Sequence, residues 1–138
     1  NPGKFMIKYL LDTNICIAVM KGRPAVQSKI NSIDPAEIGI SSIVLAELAY
    51  GVWKSSQKER NTQALADFCS ICSVWDWPAP AADTYGEIRG FLEQQGRIIG
   101  ANDLLIAAHT KYLNAVLITN NTREFNRIPD LKIEDWTL

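Results

Sequence analysis

The sequence is poor in cysteine, has no long apolar run and carries no excess of charge of either sign. Its three cysteines, Cys16, Cys69 and Cys72, are an odd number, which argues against a disulfide framework and favours a reducing, cytoplasmic location. The longest apolar candidate, Ile43–Trp53, is interrupted by Glu47, so we expect no membrane span. Fourteen basic against fifteen acidic residues give a net charge of −1, which excludes a uniformly basic nucleic-acid coat but not a local basic rim.

Several common catalytic motifs are also missing. The sequence contains no Gly-rich phosphate loop, and its serines stand outside any G-x-S-x-G setting, which argues against a serine hydrolase. The single C-x-x-C pair has no second ligand pair nearby, and the only histidine, His109, does not share a helix face with Asp103. We therefore expect no zinc site.

The remaining composition indicates one globular domain. Of the 138 residues, 47% are apolar and 21% are charged, a balance typical of a folded chain with a sizeable core. Asn1–Phe5, ahead of Met6, are typical of residues left by an expression vector. We therefore expect a single domain that spans residues 6–136.

Short apolar runs alternate with segments of helical period along the chain. We expect strands at residues 7–11, 37–41, 74–76, 115–119 and, at a sheet edge, 131–136. Between them the pattern predicts helices at residues 15–20, 24–33, 42–53, 59–71, 81–95, 103–113 and 121–126. Thr13 or Asn14 is expected to cap the first helix, and Ser42 the third. Because strands separated by helices need crossovers, this order predicts an α/β sandwich with a mainly parallel sheet and helices on both faces.

Three acidic residues stand among apolar neighbours, where solvation does not explain them. Asp12 ends the first predicted strand, and Asp103 stands at the start of a helix. Glu47 lies within a helix whose adjacent positions offer no salt-bridge partner, being Ile43, Val44, Tyr50 and Gly51. An acid in such a setting points to a role other than surface solvation.

These acids are expected to converge at one edge of the sheet. In an open parallel sheet, ligand sites lie beyond the carboxyl ends of the strands, where Asp12 and residues 119–121 both emerge. Glu47 lies within two turns of its strand's end, and Asp103 stands at a helix start. Gathered carboxylates repel one another unless a divalent cation lies between them, so the pattern predicts a magnesium or manganese site.

Helix capping is the alternative explanation for some of these residues. Asp12 and Asp103 could each cap the helix that follows, and Asn121 with Glu124 resembles a capping box. Glu47 has no capping role in the middle of a helix, and exposure at the rim of the sheet is its alternative.

Four strings at these positions resemble the PIN-domain nucleases, and more narrowly the VapC toxins of bacterial VapBC toxin–antitoxin pairs. They are LLDTN at Leu10–Asn14, ISSIVLAEL around Glu47, IGANDLLIAAH around Asp103 and TNNTREF at Thr119–Phe125. QGR-x-IG at residues 95–100 and IEDW at residues 133–136 extend the resemblance, which runs from Met6 to Trp136.

The resemblance implies a PIN-like α/β/α sandwich with a site for one or two Mg²⁺ or Mn²⁺ ions. The catalytic set that it implies consists of Asp12, Glu47 and Asp103 as metal ligands, with Asn121 at a fourth position where many PIN domains have Asp. Polar residues near the metal are implied at Thr13 or Asn14 and at Thr119.

The implied reaction is endonucleolytic hydrolysis of RNA by metal-activated water, with Glu47 as the best candidate to orient or deprotonate that water. The substrate implied is a structured RNA, often a tRNA anticodon stem-loop. Because an acidic cleft repels RNA, a basic rim is also expected, with Arg97 and Arg123 foremost and Lys21, Arg23 and Arg127 as further candidates.

The resemblance also implies partners. These are a VapB-type antitoxin that covers the site, a second copy in a homodimer, and operator DNA that is bound only through the antitoxin. Tyr50, Trp53 and the helix around Ile15–Met20 carry large apolar groups that belong either to the core or to a groove for a partner helix.

Two other functions compete with a metal-dependent ribonuclease. A phosphatase that places an Asp after its first strand needs a second Asp two residues later, and Asn14 stands there. A non-catalytic, regulatory or RNA-binding PIN domain would be favoured by the loss of one acid, and none of Asp12, Glu47 and Asp103 is lost.

Overall fold

A five-stranded parallel sheet forms the centre of the computed structural model, which describes residues 7–138. The strands are β1 (Tyr9–Leu11), β2 (Ile38–Ser41), β3 (Ser73–Trp75), β4 (Val116–Ile118) and β5 (Lys132–Glu134). Their order is β3-β2-β1-β4-β5, and every pairing in the described chain is parallel. The predicted α/β sandwich is therefore confirmed, and the first five residues and Met6 lie outside the described part.

In the described part of the chain, seven α-helices connect and flank these strands. They are α1 (Thr13–Met20), α2 (Pro24–Asn31), α3 (Ser42–Trp53), α4 (Lys58–Ile71), α5 (Ala81–Gln94), α6 (Ala101–Tyr112) and α7 (Thr122–Phe125). A 3₁₀ turn, Pro35–Glu37, precedes β2. No helix within residues 7–138 is long and apolar enough to cross a membrane.

The sheet changes direction of winding at β1. The chain passes from β1 to β2 on one side and later returns to β4 on the other, so β1 lies between them. Leu10 pairs with Gly39 of β2 and with Leu117 of β4. The crevice beyond the carboxyl ends of β1 and β4 is therefore the point at which open α/β sheets bind ligands.

The sheet interior is apolar and tightly packed. Leu10, Leu11, Ile40 and Leu117 are at most 1% exposed. This burial, rather than local propensity, holds strands of only three or four residues in place. All three cysteines are free thiols, and burial raises the pKa of Cys72 to about 12, as expected for packing residues.

The caps predicted at Thr13 or Asn14 and at Ser42 are wrong, whereas the alternative that Asp12 caps the first helix is confirmed. Asp12, and not Thr13 or Asn14, caps α1: its backbone is extended, and its Oδ1 accepts from the Thr13 N–H at 2.8 Å. Ser41, and not Ser42, caps α3 by accepting from the Ile43 N–H at 3.2 Å. In both places the chain turns directly from strand to helix, so the residue at the strand's end also serves as the cap.

Asp103, unlike Asp12, does not cap a helix. Gly100 occupies the N-cap position of α6, and Asp103 is the third residue of the helix. The capping explanation for Asp103 is therefore wrong, and its carboxylate is free for another role.

His109 is fully buried on α6 and ties this helix to β2. Its Nδ1 lies 2.8 Å from the Ser41 hydroxyl, and burial lowers its pKa to about 4. A histidine that stays neutral and hydrogen-bonded in the interior is a packing residue.

Candidate active site

Asp12 lies at the carboxyl end of β1, in the crevice between β1 and β4. Its N–H donates to the Ile118 carbonyl at 2.8 Å, which extends the β1–β4 ladder by one residue. One carboxylate oxygen accepts the Thr13 N–H, and the other accepts the Thr119 hydroxyl at 2.7 Å. Because the residue is only 5% exposed and bonded at both oxygens, its orientation is fixed before any ligand arrives.

The electrostatics of Asp12 reflect this setting. Burial raises the pKa of Asp12, and the nearby Glu47 charge raises it further, while the hydrogen bonds from Thr119 and Thr13 oppose the shift. The carboxylate is thus held in a place that disfavours its charge.

Glu47 enters the same crevice from the middle of α3. Its helix supplies no polar partner, as predicted, and its partners come from two other helices instead. The Thr13 hydroxyl of α1 donates to Oε1 at 2.5 Å, and the Asn102 amide of α6 donates to Oε2 at 3.3 Å. Glu47 is half-buried, and it also lines an open groove.

Asp103 meets the other acids from the first turn of α6. Burial raises its pKa to about 6, and the charges of Asp12, Glu124 and Glu47 add to the effect. The three acids expected from the sequence therefore lie near enough to one another that the charges of Asp12 and Glu47 raise the pKa of Asp103.

Glu124 is the acid that the sequence interpretation missed as a site residue. It lies on α7, and a hydrogen bond with Glu124 contributes to the raised pKa of Asp103. In the sequence it serves only as the second half of a capping box with Asn121. The signal that could have found it is its position on the short helix directly after β4, at the same edge of the sheet as Asp12.

Asn121 does not cap α7 through its side chain, so the capping-box interpretation is wrong. Its amide Nδ2 donates to Glu124 Oε2 at 3.3 Å, and its backbone N–H donates to the Thr119 hydroxyl at 3.0 Å. Thr119 in turn donates to Asp12. Asn121 is therefore linked to the acid cluster at two points, with its amide directed at an acid.

The other predicted residues lie around the cluster rather than in it. Asn14, Arg97 and Arg123 are exposed and make no side-chain hydrogen bond or ion pair within residues 7–138. Arg127 is half-buried, and its guanidinium donates to the carbonyls of Arg97 and Ile98 at 3.4 and 3.3 Å. Arg127 thus holds the loop before α6 in place through its guanidinium. It is therefore a weaker candidate for the basic rim than the exposed arginines.

The donor set suits a hard divalent cation. Carboxylate oxygens are the ligands that Mg²⁺ and Mn²⁺ prefer, and Asp103 already experiences three neighbouring carboxylates. Within residues 7–138, however, no three acid, imidazole or thiolate groups stand close enough to share one ion without movement. The residues therefore fit the ion in chemistry, and at least one carboxylate must move closer to the others to share it.

Comparison with known proteins gives concordant results. The PIN domain family matches residues 9–131. Ribonuclease VapC2 of Rickettsia felis is 49% identical over 132 residues, which cover 93% of this chain and 97% of the relative. The tRNA(fMet)-specific endonuclease VapC of Shigella flexneri is 42% identical over 132 residues, with coverage of 96% and 100%.

Solved structures agree with these relatives. The crystal structure of VapBC2 from Rickettsia felis bound to a DNA fragment from its promoter contains a chain with a TM-score of 0.89 and 47% identity. The similarity covers 94% of this chain and 99% of that one.

The electrostatic coupling of the acids makes a prediction for stability. At pH 8 in EDTA, Asp103→Asn is expected to raise Tm by about 3 °C, since removing one of the clustered charges relieves roughly 1 kcal/mol of repulsion and desolvation. The gain should shrink below pH 6, where the raised pKa lets the folded wild type take up a proton on Asp103. Differential scanning calorimetry at pH 8 and pH 5 measures both values.

Asp83→Asn is the matched control, because Asp83 is also the third residue of its helix but is exposed. Equal Tm changes for Asp83→Asn and Asp103→Asn would show that the acids are not coupled.

Proposed function

The chain belongs to the PIN-domain family and, within it, to the VapC ribonucleases, and we propose that its clustered acids hydrolyse RNA with the help of Mg²⁺ or Mn²⁺. The observation that carries the proposal is the set of hydrogen bonds that joins these acids. Thr13 donates to both Asp12 and Glu47. Asn102, next to Asp103 on α6, also donates to Glu47. A divalent cation compensates the repulsion between these acids, because it carries two charges and accepts several oxygen ligands.

Each acid has a distinct role in this proposal. Asp12, Glu47 and Asp103 would hold the ion, with Glu124 as the fourth acid. When bound, the ion lowers the pKa of a bound water and polarises the phosphate. Asn121 donates to Glu124 and is therefore assigned a positioning role rather than that of a ligand.

Glu47 is the proposed general base. One of its oxygens is held by the Thr13 hydroxyl, and the more weakly bonded Oε2 is available to orient a water and accept its proton. The oxygen of that water bonds to phosphorus, the bond from phosphorus to the sugar oxygen breaks, and the leaving oxygen takes up a proton from solvent to become a hydroxyl. Thr119 keeps Asp12 in place through the reaction by its hydrogen bond.

The proposed substrate is a structured RNA, in particular a tRNA anticodon stem-loop. The Shigella flexneri relative is named as a tRNA(fMet)-specific endonuclease. Unpaired loop nucleotides are the part of an RNA that side chains can reach and read. Arg97, in the loop before α6, and Arg123, next to Glu124 on α7, are exposed cations that would offset the negative charge of the cleft.

The proposed partner is a VapB-type antitoxin whose helix covers the site. A groove of about 600 Å³ runs between α1, α3 and α4, and its apolar lining includes Ile17, Met20, Leu48 and Leu65. Glu47 lines the same groove, so an occupant reaches the acid cluster directly. The Rickettsia felis neighbour is a VapBC2 complex on promoter DNA, and for this chain we propose operator binding only through the antitoxin.

Tyr50 and Trp53 contribute differently from what was expected. They are 65% and 72% exposed, so they are not core residues, and neither lines the groove. The Lys54 and Lys58 ammonium groups lie over their rings at 5.0 and 3.7 Å. A homodimer remains part of the proposal on the family resemblance alone.

The alternative of a non-catalytic RNA-binding domain is not favoured by any feature of the site. All the acids are present, and the carboxylates of Asp12 and Glu47 are each oriented by a hydrogen bond from another element, which RNA binding alone does not require.

Cleavage of a total tRNA pool tests the proposed reaction. With Mn²⁺ or Mg²⁺ the purified chain should produce one discrete cut, and EDTA should abolish it. Asp103→Asn should reduce the rate at least about 100-fold, since it removes a ligand of the metal that activates water. Gel separation and sequencing of the 5′ ends give the rate and the position of the cut.

Asp83→Asn should cut at the wild-type rate. Cutting that survives EDTA would contradict the metal mechanism, and no cutting by folded, antitoxin-free protein would favour the non-catalytic alternative.

The antitoxin groove is tested with one substitution on α4. Ala64 lines the groove, so Ala64→Arg should fill it and weaken binding of the cognate antitoxin at least about tenfold. Ala66→Arg is the control, because Ala66 is exposed on the same helix and does not line the groove. Isothermal titration with the purified antitoxin measures both constants, and equal loss in the two variants would place the interface elsewhere.

A further inference from the structure

A second pocket adjoins the antitoxin groove along α1 and shares Ile17 and Lys21 with it. It has a volume of about 410 Å³ and lies between the turn that joins α1 to α2 and the loop after β4. This volume is within the range of sites that take a small organic molecule. Asn14 and Asn120 line it, and each is a near neighbour in sequence of the residues that hold Asp12, namely Thr13 and Thr119.

The charge of this pocket is opposite to that of the acid cluster. Its two ionisable side chains are Lys21 and Arg23, and no carboxylate is among the described residues that line it. Both cations are exposed, and neither forms an ion pair in the part of the chain from residue 7 onward. If the acid cluster holds the scissile phosphate of an RNA strand, these two cations can bind the next phosphate along the same strand.

The pocket also has hydrogen-bonding groups for a nucleobase. The side-chain amides of Asn14 and Asn120 are exposed, and within residues 7–138 neither makes a hydrogen bond. An amide presents a donor and an acceptor side by side, which matches the edge of a base.

An apolar surface lies between these polar groups. Ile17, Ala18 and Val26 line the pocket, and Ile17 is 37% exposed. An unpaired base can place its face on such a surface while its edge meets the amides.

We propose that this pocket binds the unpaired nucleotide next to the scissile phosphate and reads its base. Lys21 and Arg23 hold the adjacent phosphate, while Asn14 and Asn120 contact the edge of the base. The inference rests on the proposed ribonuclease function and adds a determinant of sequence specificity to it.

Binding of a short, fluorescently labelled single-stranded RNA tests the two cations. The assay uses Asp103→Asn protein without antitoxin, so that the RNA is not cut. The added double substitution Lys21→Ala/Arg23→Ala should raise Kd about tenfold and reduce the slope of log K against log salt by about 0.7, the change expected when contact with one phosphate of a single strand is lost.

Lys29→Ala/Lys132→Ala is the matched control. It removes two exposed cations from the last turn of α2 and the start of β5, neither of which lines the pocket. The control should keep the Kd and salt slope of its parent. An equal change in both double variants would overturn the assignment of the phosphate contact.

Cleavage of an RNA library randomised around the cut tests the base contact. Asn120→Ala, in the otherwise wild-type chain, should lower the preference for the best base at one position beside the cut by at least about threefold, because one hydrogen bond to the base is lost. Retention of the wild-type preference by both Asn120→Ala and Asn14→Ala would overturn the proposed reading of the base.

The two levels of the proposal fail differently. Absence of metal-dependent cutting by the wild type would overturn the ribonuclease function. The RNA-binding assay of the two double variants would still show whether the pocket binds RNA. If the wild type cuts RNA in a metal-dependent manner but the pocket variants bind and select RNA as their controls do, only the proposed role of the pocket is overturned.

Discussion

The hydrogen bond from the Thr119 hydroxyl to Asp12 joins the ends of β4 and β1, and the site depends on it. It crosses the sheet at the point where the winding changes direction, at a distance of 2.7 Å. Thr119 also accepts the Asn121 N–H, so the same hydroxyl sets the start of the segment that carries Glu124. A hydrogen bond to a charged group contributes about 1.5–3 kcal/mol, enough to keep a buried carboxylate oriented while its neighbours repel it.

This arrangement brings four carboxylates near one another, and they repel. Each of them is carried by a different element of the fold. Asp12 follows β1, Glu47 lies on α3, Asp103 on α6 and Glu124 on α7. Hydroxyl and amide donors compensate these charges incompletely, since the pKa values of Asp12 and Asp103 stay raised. In the proposed mechanism, binding of a divalent cation relieves this imbalance.

Much of the fold could be predicted from the sequence because short apolar runs, helical periods and turn residues are local signals. Asp12, Glu47 and Asp103 stood out for a similar reason, as acids without local compensation. Glu124 did not, because a Glu three residues after Asn121 has a sufficient local explanation as a capping box, and only the tertiary contact with Asp103 shows otherwise. The caps shifted by one residue because strand and helix join without a linker, and the second pocket could not be foreseen since its lining comes from separate segments.

The most direct test of whether the four acids form one cation site is to measure Mn²⁺ binding by isothermal titration calorimetry at pH 7.5. The wild type is compared with Glu124→Gln. Glu59→Gln is the control, because Glu59 also lies in the first turn of its helix but is exposed. The account predicts that Glu124→Gln weakens Mn²⁺ binding at least about tenfold, as expected when an oxygen ligand of a divalent ion is lost, while Glu59→Gln leaves it unchanged. Equal Mn²⁺ affinity in all three proteins, or no binding by the wild type, would contradict it.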